Sequence, residues 1–118
     1  MEPRDWDEVQ IEVDRFVAES PEPFDPGTLA NAEELISICR SRCKLPTWVA
    51  KGYWSTVSLS WPKFEIEVFQ DRLEVYHFND DKTTDICYEM HDPGGAYSER
   101  FLGELPKLEV HPELRIAE

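Results

Sequence analysis

The chain has 118 residues, 25 acidic against 12 basic side chains and a formal charge of −13, which suits one domain spanning residues 1–118 and disfavours general binding to nucleic acid or anionic membrane. A hydrophobic content of 41% with 12% aromatics is too rich for a disordered acidic tail, so a small folded core is expected.

From Asp5 to Glu19, the residues Trp6, Val9, Val13, Phe16 and Val17 recur at helical spacing, and Asp5 with Glu8 forms an Asp-x-x-Glu capping box. This is the first predicted helix. Its other side carries Asp5, Glu8, Glu12 and Glu19, a negative stripe that either solvates the helix or imitates a phosphate backbone. Ser20-Pro21-Glu22-Pro23 stops the helix, because each proline disfavours helical geometry in the residue before it. A second helix starts with Asp25 as cap and Pro26 in the first turn, and carries Leu29, Ala32, Leu35, Ile36 and Cys39 on its apolar side. It is expected to end near Cys43, with Asn31, Glu33, Glu34, Arg40 and Lys44 facing solvent. Residues 35–63 contain five bases and no acid. Three of these bases, Arg40, Arg42 and Lys44, sit where cations oppose a helix dipole.

From Tyr53 the period becomes two. Val57, Leu59 and Trp61 share a face, as do Phe64, Ile66 and Val68, then Leu73 and Val75, then Ile86 and Tyr88. A turn at Pro62-Lys63 pairs Trp61 with Phe64, and proline suggests a looser connection than the usual hairpin turn. A second turn, centred on Gln70-Asp71, pairs Ile66 with Val75 and sets Glu67 opposite Glu74; centring it on Asp71-Arg72 avoids that clash. A third turn, within Asn79-Asp80-Asp81-Lys82, pairs Val75 with Ile86 and Leu73 with Tyr88. After the loop His91-Asp92-Pro93-Gly94-Gly95, Ser98 caps a short helix with Phe101, Leu102 and Leu105, and Leu108-Glu109-Val110 follows as an extended piece. The expected fold class is α+β: two N-terminal helices packed on a four-stranded antiparallel meander, with a short C-terminal helix.

The outward face of this sheet holds Ser58, Ser60, Glu65, Glu67, Glu74 and Asp85, together with Trp54, Phe69, Tyr76 and Phe78. Two arrangements fit. Either the C-terminal helix folds over the rings, or they form an aromatic, acid-rimmed docking surface.

Chemistry-bearing patterns are few. Cys39 and Cys43 share a helix face, but Cys87 and His91 on an extended strand would lie on the order of 13 Å apart, so core thiols are favoured over a zinc site. Three cysteines cannot all pair, and the first residues lack a signal-peptide pattern, so reduced thiols in a cytoplasm are expected. No apolar run approaches the roughly 20 residues of a membrane-spanning helix. His77 continues the inward row, yet nothing supplies an oxyanion site, and Gly94-Gly95 lacks the context of a nucleophile elbow or phosphate loop.

The segment from Leu45-Pro46 through Phe78, above all Thr56-Val57-Ser58-Leu59-Ser60-Trp61 and Phe64-Glu65-Ile66-Glu67-Val68, resembles a widespread group of small bacterial proteins of unassigned function. These have a helix ending in Leu-Pro, a strand closing on tryptophan, a Leu-Glu-Ile strand and an acidic turn. The chain departs from the group's usual Trp-Asp-Gly-Tyr start and glycine-bearing turn. The resemblance implies a prokaryotic or phage origin and no catalytic residues.

The expected function is that of a non-enzymatic acidic interaction protein that binds, and inhibits or neutralises, a protein with a basic surface, in the manner of an antitoxin, immunity or anti-defence protein. Its candidate contacts are Glu8, Glu12, Glu19, Trp54, Glu65, Glu67, Phe69, Tyr76 and Phe78. No cofactor, metal, direct nucleic-acid contact or membrane is expected. The alternative is a module holding a small ligand between helices and sheet, near Trp61, His77 and Tyr88.

Overall fold

The computed structural model describes residues 1–106; the extended piece expected at Leu108-Glu109-Val110 lies outside them. Helix α1 (Trp6–Glu19) starts where the Asp5 carboxylate accepts the Glu8 N–H. Helix α2 (Pro26–Arg42) starts where Asp25 accepts the Gly27 N–H, and it closes at Cys43. Five strands follow, β1 (Trp48–Lys51), β2 (Val57–Trp61), β3 (Phe64–Val68), β4 (Arg72–Phe78) and β5 (Thr84–Met90), then helix α3 (Glu99–Glu104). The strands form one antiparallel sheet in the order β1-β2-β3-β4-β5.

The predicted meander is therefore present with one strand more. β1 escaped because Val49 is its one buried residue, and a single buried position has no period. The first two hairpins take the predicted registers, Trp61↔Phe64 and Ile66↔Val75, and Glu67 does lie opposite Glu74. The first turn is tighter than expected. Lys63 adopts φ 61°, supplying behind Pro62 the left-handed conformation that proline cannot.

The third hairpin departs from the prediction. Tyr76 pairs with Ile86 and Val75 with Cys87, one residue off the expected alignment. The Asn79 N–H donates to the Thr83 carbonyl at 2.9 Å, and Lys82 takes φ 68°. Residues 80–82 thus form a three-residue loop closed by a left-handed residue. An odd loop reverses the parity, so Ile86, Tyr88 and Met90 face outward while Asp85, Cys87 and Glu89 face inward.

The inner face of the sheet supplies Val57, Leu59, Trp61, Phe64, Ile66, Val68, Leu73 and Val75 to a core completed by Val9, Val13 and Phe16 of α1 and Leu35, Ile36 and Cys39 of α2. Helix α3 packs on this same side. Its Phe101 is fully buried and meets Tyr97, which stacks on His91 with ring centroids 4.1 Å apart. The first of the two arrangements weighed for the sheet is thereby excluded: α3 does not cover the outer aromatics.

Asn31, expected at the surface, is fully buried. Its amide donates to the carbonyls of Phe69 (3.0 Å), Gln70 (3.2 Å) and His91 (3.2 Å), fastening α2 to the β3–β4 turn and to the end of β5.

Candidate functional site

Successive cross-strand partners run across the outer face in two rows. One is Ala50, Ser58, Glu67, Glu74, Tyr88; the other is Trp48, Ser60, Glu65, Tyr76, Ile86. Hydroxyls on β2 give way to carboxylates on β3 and β4 and then to apolar side chains on β5. Trp48, Phe78, Ile86, Tyr88 and Met90 are exposed, and Phe69 and Tyr76 are half-buried.

The carboxylates are held in place. Glu65 accepts from the Ser60 hydroxyl at 3.0 Å, and Glu74 accepts from Tyr76 Oη at 2.6 Å and Arg72 Nε at 2.9 Å. Glu67 accepts from the Thr56 hydroxyl. Burial pushes the Glu67 carboxyl above its usual range, and the negative charges of Glu74 and Glu65 push the same way, against the Thr56 hydrogen bond and Arg72. Gly52 permits this arrangement, because a Cβ there would overlap the Thr56 hydroxyl and the Glu67 carboxylate. The loop after Gly52 then projects Tyr53, 84% exposed, and Trp54, 64% exposed, in edge-to-face contact at 4.9 Å. On the same side the Arg72 guanidinium lies 4.0 Å over the Phe69 ring, while Tyr76 and Phe78 stack at 6.4 Å.

The predicted outer-face residues Glu65, Glu67, Tyr76 and Phe78 therefore do share one surface, while Trp54 and Phe69 line a groove with Arg72 at its end, beside Asp25 and Thr28 at the start of α2. Those on α1 differ. Glu8 is paired with Arg4 at 2.7 Å, Glu19 with Arg15 at 2.6 Å, and Asp7 with Arg40 at 2.8 Å. Glu12 is buried beside Val9, Val13 and Phe16 and pairs with Arg15. It lies on the apolar side of the helix, so the stripe read along α1 is interrupted and largely answered by cations of the same chain.

The alternative ligand set is split. Trp61, Phe64 and His77 form a run of edge-to-face rings, with centroids 5.8 and 5.1 Å apart. They line a groove of about 520 Å³ with Leu45, Glu104 and Pro106. Tyr88 is on the opposite face, a consequence of the β5 register. His77 Nε2 stands 3.9 Å from the Glu104 carboxylate, and Trp61 Nε1 donates to the Lys44 carbonyl at 2.8 Å.

A further polar cluster joins residues far apart in sequence. The His91 side chain is fully buried, with Nε2 2.9 Å from a Glu34 carboxylate oxygen, and the other Glu34 oxygen accepts the Gly94 N–H at 2.6 Å. The bond to His91 holds the Glu34 carboxyl below its usual range. Cys39 and Cys43, one turn apart, share a hydrogen bond that, with burial, pushes the Cys39 thiol up, while Cys43 is lowered. Among the described residues no group of three or more His, Cys, Asp or Glu side chains is placed to hold a metal ion, and no helix is long and apolar enough to cross a membrane.

No protein-family model, curated protein or solved structure matches the chain.

Proposed function

We propose that this chain is a non-enzymatic interaction protein whose outer sheet face binds, and thereby inhibits or neutralises, a protein with a basic surface, as an antitoxin, immunity or anti-defence factor does. The observation that carries this reading is the trio Glu65, Glu67 and Glu74 on a face that no described element covers, with Glu67 directly opposite Glu74 and, among the described residues, Arg72 alone as an ion-pair partner, at Glu74. Like charges across a ladder destabilise a sheet, and a partner's cations would relieve them. Exposed Trp54, Phe78 and Tyr88 beside the acids supply large apolar contacts of the kind that dominate binding energy.

The test uses three baits in extracts of the native host: wild type, the triple variant Glu65→Gln/Glu67→Gln/Glu74→Gln, and Glu8→Gln/Glu19→Gln on α1. The reading expects a cationic partner that wild type and the α1 variant recover at low salt, that high salt releases, and that the triple variant fails to retain. Equal recovery by all three, or no partner at either salt, would count against it.

The groove at Trp61 and His77 favours a second reading, a small-ligand module. It requires ligand-induced shifts in the Trp61 and His77 NMR signals, with Tyr88 unaffected.

A further inference from the structure

The two hydrogen-bonding edges of the sheet are finished differently. At β1, Met1 and Val49 exchange backbone hydrogen bonds of 2.9 and 3.1 Å, and α1 packs alongside. At β5, Thr84, Asp85, Ile86, Tyr88 and Met90 are all exposed. The Tyr88 carbonyl accepts from Arg100 Nη2 at 3.1 Å, so it points away from β4. The alternation of an antiparallel ladder directs the N–H and C=O of Ile86 the same way. Among the described residues no main-chain group pairs with that edge. A seven-residue edge that has no main-chain partner among the described residues, and whose Tyr88 carbonyl is held only by the exposed Arg100 side chain, is a template for another strand.

Its side chains say which strand. Ile86 (48% exposed), Tyr88 (55%) and Met90 (68%) lie on the outer face, while Asp85 lies on the other, near the acidic turn that contains Asp80 and Asp81. A second copy fits poorly. Two β5 strands paired antiparallel about Cys87 would set Asp85 of each against Glu89 of the other, and would join two chains of −13. We propose that the β5 edge takes an extended segment of the basic partner as a sixth, antiparallel strand. Apolar residues of that segment lie beside Ile86 and Tyr88 on the outer face, and alternating Lys or Arg residues lie beside Asp85 on the other. This rests on the basic-partner reading and adds the main-chain contact that the outer face alone does not provide.

Synthetic peptides of alternating Lys and Val test it against the intact protein by calorimetry and amide NMR. In the proposed pairing the valines stand directly opposite Ile86 and Tyr88, so their N–H groups face β5, whereas the lysine N–H groups face away. N-methylation of the valines should weaken binding roughly tenfold or more, the loss of about two hydrogen bonds, and N-methylation of the lysines should leave it within about twofold. A peptide of the same composition with the lysines and valines in separate blocks should bind more weakly than the alternating one. Ile86→Pro, which removes an outward N–H and spares the β4 ladder, should reproduce the valine-methylation loss while keeping the native amide spectrum; a disrupted spectrum leaves the decision to the methylated peptides. Equal binding by the two methylated peptides overturns strand addition and leaves the basic-partner reading standing. No binding by any cationic peptide overturns strand addition, and the host-extract baits then decide the basic-partner reading separately. Concentration-dependent dimerisation that Ile86→Pro abolishes would give the edge to a second copy and also overturn the proposal.

Discussion

The two faces of the sheet are built from the same strands and obey different rules. On β2, Leu59 is fully buried under the helices while its neighbour Ser60 stands on the open side; on β3, Ile66 is fully buried while Glu67 faces Glu74. The inner face is arranged for packing. The outer face keeps like charges opposed and large apolar groups in water, an arrangement that costs stability.

Breaking the inner face should have the largest effect. Leu59→Ala is expected to lose about 2–5 kcal/mol in urea unfolding, whereas Ser58→Ala, an outer-row neighbour, should stay within about 0.5 kcal/mol. Comparable losses from both would mean that the outer face is packed after all. Next comes the junction that fastens α2 to the segment after β5. Glu34→Ala leaves the buried His91 ring without its carboxylate and should cost about 1.5–3 kcal/mol. Because the Glu34 carboxyl is lowered from its ordinary 4.5, the native state binds fewer protons there than the unfolded chain. The contribution is complete above that value and is lost as pH falls through the lowered one. Urea midpoints of wild type and Glu34→Gln should therefore converge as the solution is acidified.

The smallest effect should have the opposite sign. The Glu67 carboxyl is raised above 4.5, so the native state holds its proton more tightly than the unfolded chain. Stability falls as pH rises from the ordinary value through the raised one, and the penalty persists at neutral pH. Glu67→Gln should therefore stabilise the protein by about 0.5–1 kcal/mol at pH 7 and flatten that part of the pH profile in thermal melts, while weakening partner binding. A variant that gained stability and bound as well as wild type would separate the charge from function.

Much of this contrast was legible in the residue order because two-residue turns preserve alternation. Pro62-Lys63 and Gln70-Asp71 both do so, which is why Glu65, Glu67, Tyr76 and Phe78 could be assigned to one side. Asn79 to Thr83 could not be read this way. Its polar residues suit an even or an odd loop equally, and the left-handed Lys82 that decides between them has no compositional mark. Glu12 departs from its expected place for a related reason: an acid beside an apolar stripe reads as solvent-facing, and only the fold shows it buried and paired with Arg15. The Glu34–His91 junction spans 57 positions and leaves no local pattern to find.

The three-residue loop at 80–82 also makes the chemistry of the β5 surface a matter of length. Deleting one residue there would return β5 to even parity, turning Ile86, Tyr88 and Met90 toward the helices and Asp85, Cys87 and Glu89 toward water. The strand would keep every side chain and exchange its exposed apolar row for an acidic one. An insertion or deletion at this tip thus changes the chemistry of a whole strand face in a single genetic event, with the core residues of β2 and β3 unchanged.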